Sequence, residues 1–310
     1  MVQYDTAIIG GGHNGLVCAF YLAKAGRKVI VLERRSVVGG AAVTEEFYPG
    51  FRNSLASYTV SLLNPQVISD MRLKERGLRF VKRPVANFLP IDDKRYLKVG
   101  GGLERTQAEF SEFSQKDAER LPEYYRRIDA VANVLRQLAE TKPPKLSGGL
   151  SALLRLAWQV RDVLRADIEV QNDLYDLMTK SARAFLDGWF ENEHIKAVFG
   201  FDAVVGNYAS PDTPGSAYVL LHHVFGELDG EKGAWGHAVG GMGAITQTMA
   251  QACLEVGVEI RTDTAVKRIL IDKQSVSGVK LESGEKIFAP TVAANVTPKL
   301  LYQQLIAPED

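Results

Sequence analysis

The sequence predicts an α/β fold, on three observations. A short apolar run, Thr6-Ala7-Ile8-Ile9, ends at the glycine turn Gly10-Gly11-Gly12-His13-Asn14-Gly15. A helical segment follows, and a second apolar run, Val29-Ile30-Val31-Leu32, closes on an acid, Glu33. Apolar runs of this length without polar alternation suit parallel strands covered on both faces. The glycines fall as GxGxxG on Gly10, Gly12 and Gly15. The first allows a tight turn, the second lets a pyrophosphate approach the backbone, and the third lets the helix pack close to the strand.

The helix, read from Leu16 to Ala25, turns Leu16, Ala19, Phe20, Leu22 and Ala23 inward and stops at Gly26, a residue suited to a C-cap. Its first amides face the phosphates. Glu33 stands close to the ~20-residue spacing at which a carboxylate meets ribose hydroxyls. A lone GxGxxG is equally an ordinary glycine turn; strand, helix, second strand and acid in this order point to a dinucleotide. Past Glu33 the chain reads Arg34-Arg35-Ser36-Val37-Val38-Gly39-Gly40, and the glycine pair offers backbone amides that an ordinary NAD domain does not need. This resembles the extended FAD signature of the flavin amine oxidase and phytoene desaturase superfamily. The resemblance implies FAD, with Glu33, Arg34, Gly39 and Gly40 lining its adenosine and pyrophosphate. NADP is the alternative, with Arg34 or Arg35 on a 2′-phosphate, but Glu33 would repel that phosphate.

The 310 residues are 46% apolar and 24% charged, with 37 basic against 37 acidic side chains. That size suits about two domains. Balanced charge without a basic cluster gives no electrostatic case for nucleic acid or for an anionic membrane. No apolar run reaches the length of a membrane span, and no presequence is visible ahead of the first strand, so the expected location is the cytoplasm. The two cysteines, Cys18 and Cys253, form no CxxC and read as core residues of a protein in a reducing compartment. His222 and His223 point about 100° apart on a helix and cannot share a metal as residues at i and i+4 can, so no metal is expected. No nucleophile or triad stands out, and catalytic residues are not assigned. His237, beside a later glycine turn, has the better claim to line the site, and His13 reads as packing or bonding within the phosphate loop.

Further along, Ala42 to Pro65 reads as loop and helix, the helix over Leu55 to Leu63, and another helix covers Val67 to Leu73. A strand at Arg79 to Val81 and a hairpin, Ala86 to Pro90 with Arg95 to Val99, open a new sheet. Thr106 and Glu109 read as a capping box. Ser114 opens a longer helix whose stripe runs through Leu121, Tyr124, Tyr125, Ile128, Val131, Ala132, Leu135 and Leu138, with a kink or restart at Pro122. After Lys142-Pro143-Pro144-Lys145, helices cover Ser151 to Arg165, Ile168 to Phe190 and Ser216 to Phe225. Leu150 to Leu164 has a broad apolar face edged by Arg155, Arg161 and Arg165. It reads first as a core or lid helix and second as a peripheral membrane contact. Gly240-Gly241-Met242-Gly243 opens a helix to Val256, Glu259 to Thr262 returns to the nucleotide sheet, Val266 to Ala289 forms a meander, and Val292 to Asn295 rejoins the sheet. The prediction is a Rossmann-like FAD/NAD(P)-binding domain, residues 1–70 with 236–310, split around an α+β substrate domain of mixed sheet plus helices, residues 71–235.

The runs GGAAVTEEFYPGFRNSLASYTVSLLNPQ, TPGSAYVLLHH and WGHAVGGMGA resemble the phytoene desaturase-like family of FAD-dependent oxidoreductases, in the branch named for a pyridine nucleotide-disulphide oxidoreductase domain. The resemblance covers nearly the whole chain. It implies a p-hydroxybenzoate-hydroxylase-like architecture and hydride transfer from a small lipophilic or amine-type substrate to flavin. It also implies adenine contact through the backbone of Val266 and a place beside the cofactor for Asn295. Relatives continue past this length with the rest of the substrate domain and a second glycine-rich turn at the flavin, so the chain reads as an N-terminal portion whose flavin ring site is incomplete. The alternative is a non-catalytic flavoprotein-like regulator or scaffold acting through protein partners. No motif names an electron acceptor or an oligomeric state.

Overall fold

The structure, a computed structural model, describes residues 3–139, 141, 149, 154, 157, 158, 161, 163 and 165–307. Two compact units emerge, Met1–Val81 with Gly236–Asp310, and Lys82–Trp235. The first boundary thus falls after residue 81, not after residue 70. The strand Phe80–Lys82, expected to open a new sheet, pairs instead with Gly236–Ala238, and Val239 N donates to Arg79 O at 2.9 Å.

In the first unit a four-stranded sheet runs in the order Glu259–Arg261, β2 (Val29–Leu32), β1 (Thr6–Ile9), Thr291–Ala294. All three pairings are parallel, with Thr6 opposite both Val29 and Thr291. Every residue of β1 and β2 is buried, as apolar runs without alternation require. Between them α1 (His13–Lys24) buries Gly15, Leu16, Ala19 and Phe20 and ends ahead of Gly26, whose φ of 81° lies in the left-handed region. Leu22 and Ala23 are only half-buried. A helix at Met242–Glu255 packs beside α1, and Cys253 Sγ donates to Leu16 O at 3.1 Å. The meander Val266–Asp272, Ser275–Leu281 and Lys286–Phe288 adds Ile269, Val279, Leu281 and Ile287 to the same apolar cluster as Ala7, Ile9, Ile30 and Leu32.

One expectation fails here. Thr44–Tyr48 and Phe51–Ser54 form an antiparallel hairpin turned at Pro49-Gly50, and no helix covers residues 55–63. Aromatic and β-branched residues on both sides of a Pro-Gly turn favour paired strands, and beyond them the amides of Leu55, Ser57 and Val60 go to Val43 O, Ala41 O and Gly236 O at 3.2, 3.3 and 2.8 Å rather than to helical partners.

In the second unit the hairpin Asn87–Pro90 with Tyr96–Val99 forms as expected. Its helices at Leu103–Ser111, Gln115–Ala139, Ile168–Thr179, Ala182–Asp187 and Glu193–Gly200 share a core that includes Phe110, Tyr124, Phe190 and Phe199. Thr106 is not a cap. The helix begins earlier, behind Gly100-Gly101-Gly102, and Thr106 Oγ1 accepts from Gly100 N at 3.1 Å and donates to Gly102 O at 3.0 Å. Nor does Pro122 interrupt its helix. Proline leaves the carbonyl four residues back without its helical donor, and Gln107 Nε2 supplies one to Ala118 O at 2.9 Å. Ile168 to Phe190 breaks at Ser181, whose hydroxyl caps the next helix at Ala184 N, 3.1 Å away. Ser216–Leu221 is 3-10 and only His222–Phe225 is α-helical.

The amphipathic segment 150–164 lies largely outside the described residues. Of those described in it, Leu154 and Trp158 are exposed, and the Arg161 guanidinium stands 5.1 Å from the Trp158 ring centroid. Among the described residues no helix is long and apolar enough to cross a membrane.

Candidate functional site

β1 runs straight into the glycine turn. Gly10 has φ 98°, and a Cβ there would stand 2.9 Å from the Asn295 carbonyl oxygen. Gly15 is the most confined, since its Cβ would stand 2.2 Å from Gly10 O. At Gly12 a Cβ would meet Asn295 Nδ2 at 2.9 Å. Gly12 caps α1 without a side-chain hydrogen bond, and no acid lies in the first turn, so the opening amides are left for an outside anion. A second glycine-opened helix of the same unit, Met242–Glu255, is satisfied internally: Ser54 Oγ accepts from Met242 N at 3.0 Å and Thr44 Oγ1 from Gly243 N at 2.8 Å.

Glu33, 6% exposed, sits inside the turn. Its Oε2 accepts from Gly11 N at 2.8 Å and its Oε1 from Arg35 N at 2.9 Å. A carboxylate offers about four lone-pair sites, so about two remain for hydroxyls. The second glycine pair lies directly against the first turn. Gly39 N donates to Gly11 O at 2.9 Å, Gly12 and Gly39 form a parallel bridge, and a Cβ on Gly40 would stand 3.3 Å from Gly12 Cα. Two backbones therefore meet with no side chain between them, leaving a cradle that a Cβ would fill. Arg34 is exposed beside it, whereas Arg35 is half-buried and paired with Glu45.

Asp263 N donates to Arg35 O at 2.9 Å and Thr264 N to Glu33 O at 2.8 Å, which brings Val266 to the end of β2. Asn295 N donates to Ile9 O at 2.8 Å, fixing its side chain at Gly12 and Gly15. Gly10, Gly12, Gly15, Glu33, Gly39, Gly40 and Asn295 thus meet around one turn, with Arg34 and Val266 at its margin. His237 is exposed and its Nδ1 lies 2.9 Å from Tyr58 O; His13 is exposed at the start of α1. Among the described residues no cluster could hold a metal ion.

Sequence reasoning missed Gly11, whose amide holds Glu33, and the hydroxyls of Thr44 and Ser54, which take the opening amides of the helix Met242–Glu255. Thr44 and Ser54 face each other across the hairpin, and Thr246 Oγ1 donates to Ala42 O at 2.8 Å. The Pro-Gly hairpin signal could have found Thr44 and Ser54.

An open helix start, a buried carboxylate with spare lone pairs and a side-chain-free cradle fit a dinucleotide. The chain matches the family described as flavin containing amine oxidoreductase over residues 15–305. It is 38% identical to the pyridine nucleotide-disulfide oxidoreductase domain-containing protein 2 of Rattus norvegicus, across 99% of this chain and 55% of that protein. It is 25% identical to the lycopene-forming phytoene desaturase of Pseudescherichia vulneris, across 97% and 57%. A solved structure of wild-type putrescine oxidase bound to putrescine covers 99% of this chain and 61% of its own, with a TM-score of 0.57 at 18% identity, a likeness of fold. The chain spans about half the length of the curated relatives it matches. With buried Glu33 included in a match that covers residues 15–305, nearly all of its length, the chain belongs to the flavin containing amine oxidoreductase family.

Proposed function

We propose that this protein is an FAD-dependent oxidoreductase that takes a hydride from a lipophilic or amine-type substrate, with the unit Met1–Val81 plus Gly236–Asp310 as its FAD-binding domain and Lys82–Trp235 as its substrate domain. The observation that carries the reading is Glu33, buried yet with acceptor capacity to spare inside the glycine turn. FAD, when bound, supplies the two-electron acceptor. Gly10, Gly12 and Gly15 keep the turn open to the pyrophosphate, and the first amides of α1 neutralise it. Glu33 accepts the ribose hydroxyls, Gly39 and Gly40 let the backbone close on the adenosine side with Arg34 at the rim, Val266 meets the adenine through its backbone, and Asn295 holds the turn from beneath. The lycopene-forming phytoene desaturase among the relatives supports the lipophilic class, and the amine oxidoreductase family supports the amine class. A reducing, cytoplasmic setting accords with two free cysteines, one of them fully buried.

The test is an FAD titration followed by visible spectra and fluorescence. Glu33→Ala is expected to weaken FAD by about 1.5–3 kcal/mol, the worth of hydrogen bonds to a charged group. NADP binding that collapses in Arg34→Ala and ignores Glu33→Ala would overturn the assignment.

A further inference from the structure

Four buried side-chain nitrogen or oxygen atoms among the described residues have no hydrogen-bond partner, and three of them belong to one cluster: His222 Nδ1, His223 Nε2 and Trp235 Nε1. The rings pack tightly, with His223 stacked on Trp235 at 5.1 Å and His222 edge-on to it at 5.1 Å. Such orphans are uncommon and need a physical reason. Here His223 and Trp235 line a cavity of about 520 Å³ that lies wholly within the unit Lys82–Trp235. That volume falls in the ~300–1,000 Å³ range of small-molecule sites.

The cavity joins an apolar wall to a few polar groups. Tyr125 and Phe199 supply aromatic faces, and Asp202 lies at the lining although only 2% exposed. Asn87 Nδ2 donates to Asp202 Oδ1 at 2.9 Å and to Oδ2 at 3.1 Å. His223 Nε2 stands 2.7 Å from Oδ1, at ion-pair distance but outside hydrogen-bond geometry. The cavity's full charges already have partners: Asp202 accepts from Asn87, Lys82 pairs with Glu231 at 2.7 Å and Asp129 with Arg136 at 3.4 Å, while Arg83 donates to Ala86 O at 2.8 Å and Lys232 to Asn133 Oδ1 at 3.2 Å. Beside His223 Nε2, the donor at the lining that lacks a hydrogen-bond partner is the indole N–H of Trp235. Tyr125 adds a phenol that keeps its proton, because burial and then the charge of Asp202 push its pKa up. The Asp202 carboxylate retains a free lone pair.

A hydroxyl satisfies this set at once, accepting from an N–H or O–H donor while donating to a carboxylate. An ammonium would leave the donors unmet, and a carboxylate would face Asp202. We propose that this cavity binds a neutral apolar alcohol, its hydroxyl held between Asp202 and the donors of Trp235 and Tyr125, its chain against Phe199. The proposal deepens the reading of this unit as the substrate domain, yet binding here involves none of the glycine-turn residues, so failure of the alcohol site leaves the FAD assignment standing.

The experiment is calorimetric titration of the full chain with three probes of equal chain length, 1-octanol, octylamine and octanoate. Octanol is expected to bind about tenfold or more tightly than either charged probe, the penalty of leaving buried donors unpaired. Trp235→Phe and Tyr125→Phe, which keep the rings, are each expected to weaken octanol several-fold and to narrow its lead over octylamine. Thermal melts identify any variant that fails to fold, and either substitution alone suffices for the test. Preference for octylamine, no binding of octanol, or octanol binding unchanged in both folded variants would overturn the proposal.

Discussion

At the scale of single residues, the glycines of one motif do different work. A Cβ on Gly15 would collide with backbone, the Gly10 carbonyl oxygen at 2.2 Å, whereas a Cβ on Gly12 meets the end of a side chain, Asn295 Nδ2 at 2.9 Å. Backbone cannot move aside cheaply and an amide side chain can. Gly15→Ala is therefore expected to destabilise folding by about 1–3 kcal/mol or more, the usual cost of overpacking. Gly12→Val is expected to fold with a nearly unchanged urea midpoint and to lose FAD, because its branches fill the cradle against Gly39 and Gly40. Urea unfolding beside FAD titration separates the two; FAD retained by folded Gly12→Val would mean the turn serves another purpose.

At the scale of elements, the helix Gln115–Ala139 shows how a rule is met by a neighbour. Pro122 cannot donate to Ala118 O, and Gln107 from the preceding helix does so at 2.9 Å. Gln107→Leu should leave that carbonyl unpaired, at about 1–3 kcal/mol. In a Pro122→Ala background, the alanine backbone would provide the missing N–H, and the same change should cost far less. A double-mutant cycle by urea unfolding is expected to give a coupling of about 1 kcal/mol or more. Additivity within error would show that the glutamine is not what carries the helix through its proline. The hairpin Thr44–Tyr48 with Phe51–Ser54 works alike, since its paired hydroxyls cap a helix that begins 188 residues after Ser54.

At the scale of the molecule, stability depends on pH through the half-buried imidazole of His222. Burial, reinforced by neighbouring His223 and opposed by Asp202, lowers the pKa of His222. The unfolded chain then binds more protons at that position than the folded one, so the contribution is fully present above the unfolded value of about 6.5 and is lost as pH falls through the folded value. Urea midpoints are expected to fall between about pH 7 and pH 5, and His222→Phe should flatten the profile. An identical slope in the variant would assign the loss to other groups. The division into two units follows the sheet: β1 and β2 take as neighbours strands that begin at Glu259 and Thr291, so everything between has to leave the nucleotide sheet and return.

What short-range physics demands is written locally in the chain. Four-residue apolar runs, a turn that excludes side chains and an acid at a strand end are local requirements, so Gly10 to Gly15, Glu33, Gly39-Gly40 and the return of Glu259 to the sheet were legible without coordinates, and so was the flavin family. Packing alone settled which distant residues answer each other. Gly11 holds Glu33, Asn295 sits under the turn, Thr44 and Ser54 close a helix start, Gln107 completes a helix at Ala118, and the orphaned nitrogens of His222, His223 and Trp235 gather in one ring cluster, of which His223 and Trp235 line a cavity. The physical reason is that periodicity and propensity report which face of an element is buried. The partner across that face depends on how elements pack, and a hydrogen bond between distant residues leaves no periodic trace in the chain.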